Sequence, residues 1–305
     1  MLNLILATIV PIALLIALGR WLRACDFLGD NFWPAAERLS YFVLLPALFV
    51  HSLATADLSG LPVFDMVTVL LISTLIGAVL LVLCKGIIAG DGASFTSVFQ
   101  GGIRFNNYIG ATLAAGIYGT GGIALAAVAN AAIVPTVNVL CVLAFARYNG
   151  AQSSARAVAK AICSNPLIVG CALGIALRLT GMGLPAGIEP TIKALGQAAL
   201  PLGLLCVGAA LAGSARGLGP RPLLAASLFK FVVLPLTTYG TCRVLGLSGQ
   251  AATVAILFQA LPTASSSYVM ARQMGGNAPL MANIIALQTL LAALTLPVML
   301  SLTLA

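Results

Sequence analysis

Polar chemistry in this chain is concentrated in two stretches. Residues 95–119, FTSVFQGGIRFNNYIGATLAAGIYG, carry Gln100, Arg104, Asn106 and Asn107 in the middle of an otherwise apolar run. Residues 258–276, FQALPTASSSYVMARQMGG, place Gln259 and Pro262 ahead of Thr263, Ser265, Ser266 and Ser267. An arginine stays charged and offers a planar fork of donors that matches a carboxylate. Amides and hydroxyls beside it add neutral donors and acceptors. These residue types fit the recognition of a small organic anion. Catalysis finds no matching pattern: there is no HExxH, no GxSxG and no pair of intramembrane aspartates, so the chain is read as a non-enzyme.

The elements that must position these groups are membrane spans. Of all residues 61% are hydrophobic and 7% charged, against about 25% charged in a soluble domain. Apolar runs long enough to cross a bilayer recur along the whole chain. The opening run, MLNLILATIVPIALLIALG, has no basic segment ahead of it and reads as a retained first span. Ten spans are predicted, at 2–19, 39–56, 63–83, 95–119, 123–145, 161–179, 192–211, 222–244, 251–274 and 279–302. Asp26, Asp30, Glu37 and Arg38 fall in the loop before the second span, and GTGG at 119–122 is a turn. The chain divides into 1–146, a soluble linker at 147–160 (RYNGAQSSARAVAK), and 161–305.

The net charge of +8 reflects basic residues scattered at span ends, without a basic cluster interleaved with aromatics. That distribution excludes a nucleic-acid partner and fits the positive-inside rule. Arg20, Arg23, Arg38, Lys85, Arg147, Arg156, Lys160, Arg216, Arg221 and Arg272 fall on one side, and Arg178, Lys193 and Arg243 on the other. Both termini are therefore expected outside a cell membrane. The seven cysteines are odd in number and form no CxxC. They read as small packing residues, with no disulfide, metal or cofactor implied.

The two polar stretches occupy equivalent places. LLPALF at 44–49 matches ALPLGL at 199–204, and FQGGIRFNN at 99–107 matches FQALPTASS at 258–266, at nearly the same offset. Repeats of five spans each must lie inverted in the membrane, and broken helices at matching positions in inverted repeats mark secondary transporters. Gly101 and Gly102 are the expected weak point of the first helix, since each costs about 1 kcal/mol against alanine. Pro262 breaks the second. Free N–H groups at half-helix N-termini favour an anion. Arg104 adds a full charge there, although carbonyls of the unwound segment could instead satisfy it. Tyr108 flanks the charge as a wall residue, for which packing is the plainer role. Lys230, mid-span in SLFKFVVLP, is a possible second cation or a snorkelling side chain. His51 reads as a satisfied histidine of the bundle. All seven acids lie in loops or at span ends, so no carboxylate answers Arg104 and no acidic coupling-ion site is expected.

FQGGIRFNNYIG, NPLIVGCALGIALRLTG, LGQAALPLGLLCVGAAL and LPTASSSYVMARQMGG, in that order, resemble the auxin efflux carrier family across nearly the whole chain. The resemblance implies an all-α fold of ten transmembrane helices in two inverted five-helix repeats, similar to bile-acid and NhaA-type transporters. Broken helices 4 and 9 would cross. Spans 1, 2, 6 and 7 would form a scaffold, often dimeric, and spans 3–5 and 8–10 a moving transport domain. The substrate would sit at the crossover, between residues 104–107 and 262–267. Span 4 departs from the pattern in having no proline at its break.

The expected function is thus a secondary carrier for a small organic anion, with a carboxylate as the favoured class, moving by an elevator-type shift in a cell membrane. A ligand sensor would require an attached signalling domain, and an intramembrane enzyme a nucleophile or metal; the inverted repeat favours the carrier over both.

Overall fold

The computed structural model describes residues 2–29, 31–55, 62–149, 159–160, 162–213 and 219–304, so most of the linker read at 147–160 lies outside the described residues. Among these residues there is no strand. Helix α1 is Leu2–Ala24. Helix α2 (Phe32–Leu39) runs through a π turn (Ser40–Leu44) into α3 (Leu45–Ala54). Helix α4 (Val63–Leu83) and a short α5 (Lys85–Ile88) precede α6 (Gly92–Ile103) and α7 (Asn107–Tyr148). Then come α8 (Pro166–Leu179) and α9 (Glu189–Gly213). Helix α10 (Pro220–Leu228) passes through a second π turn (Phe229–Val233) into α11 (Leu234–Leu245). The chain ends in α12 (Gly249–Gln259), α13 (Ser265–Met274) and α14 (Ala278–Leu304).

Five helical stretches are long and apolar enough to cross a membrane: Val63–Leu83, Ile109–Tyr148, Glu189–Leu211, Pro220–Leu245 and Ala278–Thr303. Helix α14 shows how such a helix is solvated. Leu290, Leu294, Val298 and Leu302, four residues apart, stand exposed, while Ile284, Gln288, Ala292, Leu296 and Leu300 are buried. An exposed leucine stripe of this kind is an aggregation liability in water and a lipid-facing surface in a bilayer. Each π turn lies just ahead of a proline, Pro46 or Pro235. A proline ring clashes with the carbonyl one turn back, and a widened turn relieves that clash.

Helix α1 packs along α9, and α3 packs on α8 and α9. Helix α4 packs on α7 and α11, α6 on α7, α10 and α14, and α12 on α7 and α11. Two local features differ from the sequence expectation. The second span begins at Phe32, not Leu39, so Glu37 lies on a helix instead of in a loop. The charged pair in FWPAAERL lowers its hydropathy, yet Trp33, Ala36 and Glu37 make one buried face. Gly101 and Gly102 do not break the helix; α6 continues to Ile103. Their role is close packing, because a Cβ on Gly101 would meet Ile284 and Ala226, and one on Gly102 would meet Leu81 and Phe229. By contrast, α7 is two helices joined at a kink at Gly119, whose φ of 60° and ψ of −135° suit glycine. That bend falls at the turn read at 119–122.

Helix α6 is capped by Asp91, whose side chain accepts from Ser94 N at 2.8 Å. That bond holds the Asp91 carboxyl below the ordinary carboxylate range.

Candidate functional site

The first break is a short extended segment. Arg104 caps α6 with φ −77° and ψ 160°, and helix resumes at Asn107. Asn106 restarts it, its Oδ1 accepting from Ile109 N at 3.3 Å. The second break runs from the end of α12 at Gln259 to the start of α13 at Ser265, around Pro262. The two breaks meet: the Asn106 N–H donates to the Pro262 carbonyl at 2.8 Å. Gln288, from the middle of α14, joins both. Its Nε2 donates to the Gly101 carbonyl at 3.0 Å, and its Oε1 accepts from Thr263 N at 2.9 Å. Non-helical backbone at membrane depth is tolerated only when such partners satisfy it.

Arg104 is buried at 3% exposure. Its guanidinium donates from Nη1 to Asn138 Oδ1 at 2.7 Å and from Nη2 to Ser266 Oγ at 2.9 Å, with Met270 Sδ 3.5 Å from Nη1. Its Nε has no hydrogen-bond partner among the described residues. All three partners are neutral. The ion pairs among the described residues are elsewhere, Arg272 with Glu37 at 2.9 Å and His51 with Glu189 at 3.7 Å. The His51 Nε2, near the end of its helix, has no hydrogen-bond partner among the described residues, and Glu189 stands 3.7 Å away. A buried charge without a counter-charge costs several kcal/mol, on the order of what a bound anion would return.

A cavity of about 40 Å³ opens beside this charge. Its polar wall is Arg104, Asn106, Asn107, Asn138, Ser265 and Ser266, and its apolar wall is Leu45, Leu48, Phe49, Phe105, Val134, Val137, Ala199, Leu200 and Ala264. Both half-helix N-termini, at Asn107 and Ser265, therefore border it, and their dipoles add to the arginine charge. Together they make the cavity electropositive. The volume has room for about two waters, so the walls must part to admit anything larger.

The structure brings Arg104, Asn106, Asn107, Ser265 and Ser266 together at the cavity. Other candidates lie behind it. Pro262 supplies the crossover carbonyl. Thr263 and Ser267 share a hydrogen bond of 3.0 Å. Gln259 points to α4, donating to Thr74 Oγ1 at 2.7 Å and Ser73 Oγ at 3.3 Å. Gln100 is fully buried outside the cavity lining. Lys230 is fully buried in the second π turn, also away from the cavity, and its Nζ has no partner among the described residues. The Tyr108 side chain lies outside the described residues. Asn138 and Gln288 went unnoticed in the sequence; each is one of two amides in an apolar span, beside Asn130 and Asn283 respectively, and that polarity at membrane depth was the available signal.

The sequence matches the family described as membrane transport protein over residues 4–300. A protein named an uncharacterized transporter, from Methanothermobacter thermautotrophicus, is 26% identical over 297 residues, covering 95% of each chain. An all-helical chain with membrane-length apolar helices, crossed breaks and a match of this extent is a multi-pass membrane transporter, and it belongs to the membrane transport protein family, the auxin efflux carrier family that its motifs resemble.

Proposed function

We propose that this transporter is a secondary carrier of an organic monoanion, a carboxylate with an apolar body, and that Arg104 is its anchor. The observation that carries the reading is the buried Arg104 with neutral partners only, bordered by two half-helix N-termini and faced by an apolar wall. One cation answers one carboxylate. A second carboxylate would be buried against Leu45, Leu48, Phe49 and Val137, where an unpaired charge is costly. The test is a thermal-shift comparison of hexanoate and phenylacetate with malonate and succinate on purified protein. The monocarboxylates should stabilise it. Stabilisation by malonate and succinate alone would overturn the assignment.

The same reading makes α1, α2–α3, α8 and α9 a scaffold and the remaining helices a transport domain that slides against it. The tightness of the cavity supports this, because its apolar wall comes partly from α3 and α9 and its charge from the crossover. The ten spans then form two inverted repeats, 1–146 and 161–305. Both termini face outside the cell membrane, and the scaffold carries a homodimer interface.

Asn138 offers a test of opposite sign in function and stability. Asn138→Asp places a carboxylate 2.7 Å from Arg104 Nη1. The built-in counter-ion should weaken phenylacetate binding about a hundredfold while raising the melting temperature. Isothermal titration and a melting curve on the same sample check both; unchanged binding would remove Arg104 from the site.

A further inference from the structure

A second polar pocket lies between α1, α2, α9 and α13, the last two of which also line the Arg104 cavity. It measures about 210 Å³ and is lined by Arg23, Trp33, Glu37, Cys206, Tyr268 and Arg272, among others. Its walls continue those of the Arg104 cavity. On α9, Cys206 follows the cavity residue Leu200 by about 9 Å at the helical rise. On α13, Tyr268 follows Ser265 and Ser266 within one turn. On the path from α2 to α3, Glu37 precedes Leu45, with buried Tyr41 between them. The pocket and the cavity thus lie along the same pair of helices, α9 and α13.

Glu37 is the only buried acid among the described residues, 4% exposed. Its Oε1 accepts from Tyr268 Oη at 2.7 Å and its Oε2 from Arg272 Nε at 2.9 Å. Both donors sit on α13, whose opposite face holds Ser266 and Met270 against Arg104. One ten-residue helix thus touches both the anion site and the Glu37 carboxylate. The contact between α13 and α9 is smooth at this level: Gly203 faces Ser265, where a Cβ would come within 2.8 Å of the serine Oγ.

We propose that Glu37, Tyr268 and Arg272 form a gate that closes the path between this face of the membrane and the Arg104 cavity. The proposal rests on the division into scaffold and moving helices given above, with Glu37 on the first and α13 on the second. In the closed state a carboxylate stands across the path of an anion and occupies both donors. Sliding of α13 breaks the two bonds together, since hydrogen bonds fail beyond about 3.5 Å. Arg272, already half exposed, returns to water. The freed guanidinium and hydroxyl then face a passing carboxylate.

Cys206 reports on the gate, being 1% exposed and in the pocket wall. Cys141, fully buried in the core, reports on general loosening. Membranes holding the full chain are treated with a small permeant maleimide, and labelling of each cysteine is quantified by mass spectrometry. Glu37→Gln should label Cys206 about tenfold faster than the parent, with Cys141 unchanged. Arg272→Gln serves equally if Glu37→Gln fails to reach the membrane. A parent-like rate at Cys206, or a parallel rise at Cys141, overturns the gate. Labelling requires neither substrate nor transport, so failure of the carboxylate assignment leaves this test standing.

Discussion

Replacing Arg104 by alanine should abolish carboxylate transport and leave the protein folded. The substitution removes the one charge at the cavity and both charge-assisted bonds of its fork. Bonds to a charged group contribute about 1.5–3 kcal/mol each, so a bidentate carboxylate should bind about a hundredfold less well or worse. Folding should survive. Asn138 Oδ1 and Ser266 Oγ lose a partner, but the protein also loses a buried cation with no counter-charge among the described residues. Arg104→Lys keeps a charge without the planar fork and should retain partial activity. Efflux of labelled phenylacetate from proteoliposomes, with gel filtration of the same preparations, reads both outcomes. Parent-level efflux in a monodisperse Arg104→Ala protein would refute the anchor.

Transport should also follow the membrane potential. No acid lies in the cavity wall to carry a compensating proton or sodium ion. On the proposed function a full cycle moves one negative charge, and an interior-negative potential drives the anion out. The driving force is about 2.3 kcal/mol per 100 mV, which sustains a concentration ratio of about 50 at equilibrium. The measurement sets the potential with valinomycin and a potassium gradient and follows the final distribution of phenylacetate. Accumulation on the positive side is the expected result. A distribution indifferent to potential but responsive to a pH or sodium gradient would mean electroneutral coupling and a site not described above.

Much of this site was legible because polarity at membrane depth is conspicuous. Arg104, Asn106 and Asn107 interrupt an apolar run, and Pro262 with its serines interrupts another; the structure joins them through the Asn106 to Pro262 bond. The glycines misled. In a sequence, Gly101 and Gly102 signal a weak helix, whereas in the fold they let α6 approach α10 and α14, a neighbour relation no local pattern records. The division of labour among the amides was also hidden. Gln100 and Gln259 resemble Asn106 and Asn107 in type, but helix phase turns Gln259 towards α4 and keeps Gln100 out of the cavity wall. Glu37 was the largest surprise. Its charge and that of Arg38 read as a loop, and its partners lie 231 and 235 residues further along the chain. Only tertiary packing could reveal that this acid is buried.

On the proposed function Arg104 holds the cargo. Equilibrium binding of radiolabelled phenylacetate to purified parent and Arg104→Ala proteins tests that most directly. The account predicts saturable binding to the parent, displaced by hexanoate, and affinity lower by about a hundredfold or more in Arg104→Ala. Equal affinity in the two proteins would contradict it.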